Sequence, residues 1–328
     1  MRRRPGLTLT EVLVTLAILS FGVLAVLTMF PLAASQMAVA VREDRSAQAA
    51  NAADGYLRAY WKSEVVDKVK AGQTVTEPFY EALDDPNDTV PLAEQKLTLP
   101  ITLPLGGPEA SYPVFIDPMG FAARTGGSKY WVGDNGGAGA PRRSLSKLAT
   151  AQQAFRTCSL MDGLGYDENG HPTPDRELRY NWLWVVQRPN NSEKLKADMT
   201  VVVYDGRANL HAPTGSEGWF MTLGLALPGS NSVSLSYNAG VAPDVRPGTW
   251  VVEVTDPLLN ITLPPSKVRN ANFYQVVSAK PNGLSLDVEL NLPLKKANDS
   301  IVAGAYIARF VVLRGVSGVY PRPQLTDD

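Results

Sequence analysis

From Val12 to Ala34 the chain carries no charged side chain, and Val12, Leu13, Val14, Leu16, Ile18, Leu19, Phe21, Val23, Leu24, Val26, Leu27, Met29 and Phe30 leave no polar face on a helix. At about 1.5 Å per helical residue such a run crosses a ~30 Å hydrocarbon core. The pattern predicts a membrane-spanning helix to about residue 34. Beyond Pro31 the sequence stays helix-compatible, with no proline from Leu32 to about Ala71. Helical spacing there gathers Ala49, Ala53, Tyr56, Leu57, Tyr60, Trp61 and Val65 on one side, while Arg42, Glu43, Arg45, Asn51, Arg58 and Lys62 fall largely elsewhere. The expected helix, Leu7 to Ala71, spans on the order of 100 Å and stops at Gly72. No heptad is sustained, which argues against a free coiled coil.

After Gly72 the period changes from helical to alternating. Glu77-Pro78, Asp84-Asp85-Pro86-Asn87-Asp88 and Gly106-Gly107-Pro108 read as turns. Lys96 to Leu103 and Tyr112 to Ile116 read as short strands, the first at an edge because of Pro100 and Pro104. Gly126 to Pro141 reads as a loop, and Ser144 as the cap of a short helix bearing Leu145, Leu148, Ala151 and Phe155. The clearest alternation is Leu178, Tyr180, Trp182, Trp184, Val186 followed by Met199, Val201, Val203, which predicts a hairpin over Glu177 to Gln187 and Lys196 to Asp205 at the centre of a sheet. Further strands are expected at Trp219–Leu227, Ser232–Tyr237, Thr249–Thr255, Phe273–Ala279, Leu284–Leu290 and Tyr306–Leu313, separated by Pro228-Gly229, Pro247-Gly248 and Pro281-Asn-Gly283. Short strands without intervening helices suggest a small antiparallel sheet or partial barrel. Tyr320 to Asp328 reads as a frayed tail.

Charge changes the reading of the N-terminal run. Arg2 to Arg4 precede it, and basic residues beside a first membrane segment stay on the cytoplasmic side, so the remainder is expected outside the cytoplasm. Glu11 is the exception to the apolar pattern. An ionisable group at the edge of a membrane helix is tolerated with a partner or a functional reason. Met1-Arg-Arg-Arg-Pro-Gly6, then Leu7-Thr-Leu-Thr-Glu11 and Val-Leu-Val, resembles the processing site of type IV prepilins and pseudopilins. The resemblance covers roughly residues 1 to 35. It implies a leader, residues 1–6, that prepilin peptidase removes after Gly6, and methylation of the new amine at Leu7. It also implies an assembly role for Glu11, whose carboxylate would neutralise a neighbouring subunit's N-terminal ammonium. Such a desolvated pair selects register, because either charge left alone is costly. Leu7 stands where phenylalanine is commonest in the family, and Pro31 lies a little later than the family's helix-loosening proline. The run Glu11 to Leu27 is most similar to minor pilins of the type IV pilus modification kind. In such proteins the outer half of the helix packs on a β-sheet, a contact the Tyr56, Tyr60 and Trp61 cluster would supply.

Composition narrows the alternatives. With 328 residues there is room for the stem and either one large or two small domains. Net charge is -1 and Lys and Arg are scattered, so no nucleic-acid binding is expected. The single cysteine, Cys158, excludes an intramolecular disulfide and reads as a buried thiol. The only histidines, His171 and His211, have no metal-ligand spacing and read as surface residues. Asp162, Asp167 and Asn169 offer oxygen ligands for calcium, although they miss the Asp-x-Asp-x-Asp-Gly pattern. Gly136-Gly-Ala-Gly139 lacks the lysine of a phosphate loop. Tyr180, Trp182 and Trp184 read as core before they read as a stacking platform.

The expected fold is α+β: a long N-terminal membrane-spanning helix packed on a C-terminal, mainly antiparallel β domain. Residues 7–71 form the helix, 72–215 a pilin-like β-rich domain and 216–328 an additional antiparallel region. The expected function is that of a non-enzymatic subunit, a minor pilin or pseudopilin, with no cofactor. Its expected partners are other pilin subunits, the prepilin peptidase and methyltransferase, and the inner membrane, with the N-terminus cytoplasmic. One rival is a membrane-anchored binding or adhesion module that never polymerises. Another is a secreted hydrolase cut at Ala38-Val39-Ala40, although the apolar run is longer than the 7 to 15 residues of a signal-peptide core.

Overall fold

In the computed structural model, the described residues are 9–84, 111, 113–123, 142–148, 150–160, 179–190, 192–207, 219–236, 244–254, 271–295 and 306–327. Helix α1, Leu9–Trp61, continues through Pro31 and is followed by a π turn, Lys62–Val66, and α2, Asp67–Lys70. In the π turn the Asp67 N–H donates to Lys62 O, five residues back. This extra residue lets Trp61 and Val66 both reach the core. Gly72, at φ +69, ends the run: Gly72 N–H donates to Val69 O at 3.0 Å and Gln73 N–H to Lys68 O at 2.8 Å, a Schellman stop. The expected end of the helix at Gly72 is therefore present.

Two compact units divide the chain, Met1–Arg45 and Ser46–Asp328. In the first, the described side chains of α1 are exposed. The second holds two sheets. One has five strands in the order β11-β4-β3-β1-β2, comprising β1 Val114–Ile116, β2 Arg142–Arg143, β3 Tyr180–Gln187, β4 Ala197–Asp205 and β11 Val316–Leu325. Only β1 and β2 run parallel. The second sheet closes into a barrel in the order β10-β5-β6-β9-β8-β7. Its strands are β5 Trp219–Ala226, β6 Ser232–Ser236, β7 Trp250–Val254, β8 Ala271–Asn282, β9 Ser285–Leu290 and β10 Tyr306–Leu313. The fold is α+β with antiparallel pairing dominant, as the alternation predicts.

Alternation sorts the five-stranded sheet between two cores. Trp182, Trp184, Val186, Met199, Val201 and Val203 join Ala49, Ala53, Leu57, Trp61 and Val65 of the helix run. Their neighbours Leu183, Val185, Val202 and Tyr204 join Phe115 and the barrel's outward-facing Val252, Val311 and Leu313. A period of two thus places one set on the helix and the other on the barrel. The barrel repeats the device: Val251, Phe310 and Val312 turn inward with Val233, Leu235, Tyr274, Val276, Leu286 and Val288. Each large apolar side chain buried this way contributes about 1.5–3 kcal/mol before entropy.

Several local expectations are corrected. The Glu77-Pro78 segment read as a turn opens α3, Pro78–Asp84, and α4, Pro118–Ala123, also begins at a proline. Proline suits a first helical position, where its missing N–H has no partner to lose. Ser144 does not cap the next helix. A 3-10 turn, Ser146–Leu148, intervenes, and Thr150 caps α5, Ala151–Thr157, in a capping box with Gln153. The segment read as a frayed tail is instead the outermost strand, β11, paired with β4 from Val316↔Tyr204 to Leu325↔Ala197. The strand expected at Lys96 to Leu103 lies outside the described residues.

Candidate functional site

The Leu9–Arg45 part of α1 carries its large apolar side chains exposed. Leu13, Leu16, Leu19, Phe21, Leu24, Val26, Met29 and Phe30 are all more than half exposed. By length and composition this helix can cross a membrane. Its hydroxyls do not break the apolar surface, because they bond back to the helix: Thr15 to Glu11 O at 2.8 Å, Ser20 to Leu16 O at 2.7 Å and Ser35 to Leu32 O at 2.8 Å. Glu11 sits in the first turn, where a carboxylate meets the positive end of the helix dipole. It stands two residues past Leu9, the first described residue, in an otherwise apolar surface. Gly6 and Leu7 lie outside the described residues.

Other candidate chemistry is spread out or buried. Asp162, Asp167, Asn169, His171 and His211 lie outside the described residues, and among those described no group of His, Cys, Asp and Glu is placed to hold a metal. Cys158 is fully buried, and burial, with Asp117 nearby, pushes its thiol well above the ordinary range. Such a thiol is protonated and shielded, which suits packing and not nucleophilic attack. Trp182 and Trp184 are buried, and Trp184 Nε1 donates to Ala53 O at 2.9 Å, so they are core residues and not a stacking platform.

Two buried polar groupings had no sequence signature. Asp117, following β1, is fully buried and receives Arg207 Nη1 at 2.9 Å, Arg207 Nη2 at 2.7 Å and the Gly120 N–H at 3.0 Å, with Arg142 Nε at 3.2 Å. Burial alone would raise its pKa, but Arg207 and Arg142 hold the carboxyl well below its usual range. Inside the barrel, Glu253 is fully buried and accepts from Tyr274 Oη at 3.2 Å. Burial and this carboxylate push the Tyr274 phenol up. Asp117 and the arginines around it lie far apart in sequence, which is why no short motif announces them.

Comparison with known families addresses the N-terminal segment. Residues 1–27 match the family model described as the prokaryotic N-terminal methylation motif. The chain carries the type IV prepilin signature. That signature, joined to a helix long and apolar enough to span a bilayer, describes a pilin-like or pseudopilin precursor and fits membrane anchoring. It points to a structural protein and to association with pilin subunits and a prepilin peptidase in general. No curated protein and no solved structure matches the chain.

Proposed function

We propose that this protein is a minor pilin or pseudopilin and that it has no catalytic activity. Prepilin peptidase removes residues 1–6 after Gly6, and the Leu7 amine is methylated. Until assembly the mature chain sits in the inner membrane as a single-pass protein, N-terminus cytoplasmic and the Ser46–Asp328 unit outside. On assembly the apolar helix exchanges lipid for neighbouring subunits, and Glu11 guides each chain to a neighbour's N-terminal ammonium. The observation that carries this reading is the prepilin signature over residues 1–27, continuous with a stem whose apolar side chains stand exposed. The buried Cys158 thiol and the core tryptophans Trp182 and Trp184 fit a structural role.

Recovery of the wild-type protein and Glu11→Ala in sheared filament and membrane fractions tests the proposal. Wild type in the filament fraction, with Glu11→Ala retained in the membrane, is the expected result. Wild type confined to the membrane, unaffected by Glu11→Ala, would instead identify an anchored binding or adhesion module.

A further inference from the structure

Strand β11 touches every layer of the Ser46–Asp328 unit. It leaves barrel strand β10 through Arg314-Gly315, where Gly315 has φ +73 and its carbonyl accepts the Asp205 N–H at 2.6 Å. Val316 and Val319 then pack in the core shared with the barrel, whereas Tyr320 and Leu325 pack in the core shared with the helix. The strand is an outer one, which is why it tolerates Pro321 and Pro323. Those prolines cannot donate, but their carbonyls still accept. Arg58, steadied by Asp54 at 2.8 Å, donates to Pro323 O and, at 3.1 Å, to Gln324 O. Tyr320 Oη donates to Ser46 Oγ at 2.9 Å, and Lys70 Nζ to Asp327 O at 2.7 Å.

The two ends of the packed helix are fastened differently. From Tyr60 onward the anchors are bulky or ionic: Tyr60 Oη donates to Glu77 at 2.8 Å, Trp61 and Phe79 pack against each other, and Glu64 pairs with Lys147. Between Ser46 and Arg58 the buried apolar face is Ala49, Ala50, Ala53 and Leu57, with Tyr56 stacked on Trp184, and the three alanines bury little apolar area. Directional contacts add to that packing: Trp184 Nε1 donates to Ala53 O, and strand β11 meets Ser46 and Arg58.

We propose that strand β11, Val316–Leu325, is a closing strap that seats the Ser46–Arg58 part of the helix on the sheet, separately from the anchors at Tyr60–Lys70, to which Lys70 and Asp327 belong. Whatever binds or cleaves Tyr320–Leu325 is then felt at the Ser46–Arg58 part of the helix.

Hydrogen–deuterium exchange on the full chain in detergent micelles tests this, comparing wild type with Arg58→Ala, Tyr320→Phe and Asp54→Ala. Asp54→Ala removes the helix ion pair but keeps the Arg58 contacts to the strap. Arg58→Ala should speed exchange over Ser46–Arg58 about tenfold, with a smaller rise for Tyr320→Phe and the smallest for Asp54→Ala. Exchange at Tyr60–Lys70 and in the barrel strands should not change. A uniform rise over the whole unit, no rise at Ser46–Arg58, or an equal rise in Asp54→Ala and Arg58→Ala overturns the strap.

Discussion

Helix α1 contains two solutions to the same problem of apolar surface. In its Leu9–Arg45 half, Leu19 is 64% and Phe21 76% exposed; past Ser46, Ala53 and Leu57 are fully buried. From Val12 to Ala34 the first half is apolar on every side and uses long side chains. The second is apolar on one side, small where the sheet comes close and aromatic where it does not, with Tyr56 stacked on Trp184 at 6.0 Å. A surface apolar all round suits lipid or identical helices, whereas a one-sided surface suits a single partner fixed within the chain. Mutations should therefore act on different observables in the two halves.

The largest effect should come from Trp184→Ala, which removes a fully buried ring and its bond to Ala53 O. A loss of about 3–5 kcal/mol in chemical denaturation of the micelle-bound chain is expected, with membrane partition unchanged. Asp117→Asn should cost about 3 kcal/mol by the same measurement, because it leaves the buried Arg142 and Arg207 guanidiniums without their carboxylate. Leu19→Asp reverses the pattern. It should weaken membrane insertion by about 3 kcal/mol, seen as protein shifted from the membrane to the soluble fraction, while denaturation of the Ser46–Asp328 unit stays the same.

The smallest effect concerns Glu64, whose hydrogen bonds from Lys147 and Lys68 lower its pKa to about 2. A depressed carboxylate contributes stability that is full above its ordinary value of 4.5 and lost as pH falls through about 2. Glu64→Gln should cost about 1 kcal/mol at neutral pH and flatten that acid-limb dependence between pH 4.5 and 2. An unaltered acid limb in the variant would assign the dependence to other carboxylates.

What could be read from sequence follows from the range of the physics. The apolar stem, the Gly72 stop and the Trp182/Trp184 alternation are local patterns, and each survives in the structure. The strands Trp219 to Leu313 were also visible, because period two and proline-glycine turns lie within a few residues. Barrel closure was not, since it depends on β10 meeting both β5 and β7 across long separations. Two local readings failed: Pro78, read within a turn, begins a helix, and the segment read as a frayed tail is an outer strand that holds Pro321 and Pro323. The Asp117 cluster and the Arg58 contacts join residues 90 and 265 positions apart respectively, beyond any motif. Gly6 and Leu7, on which the proposed processing depends, lie outside the described residues and are read from sequence alone.

The most direct test of the account is the N-terminal mass of the mature protein purified from membranes of cells that carry their own prepilin peptidase. The account predicts a chain that begins at Leu7 with a methylated amine and keeps Glu11 as its fifth residue. A chain that still begins at Met1, or one that begins at Val41 after conventional signal cleavage, contradicts it.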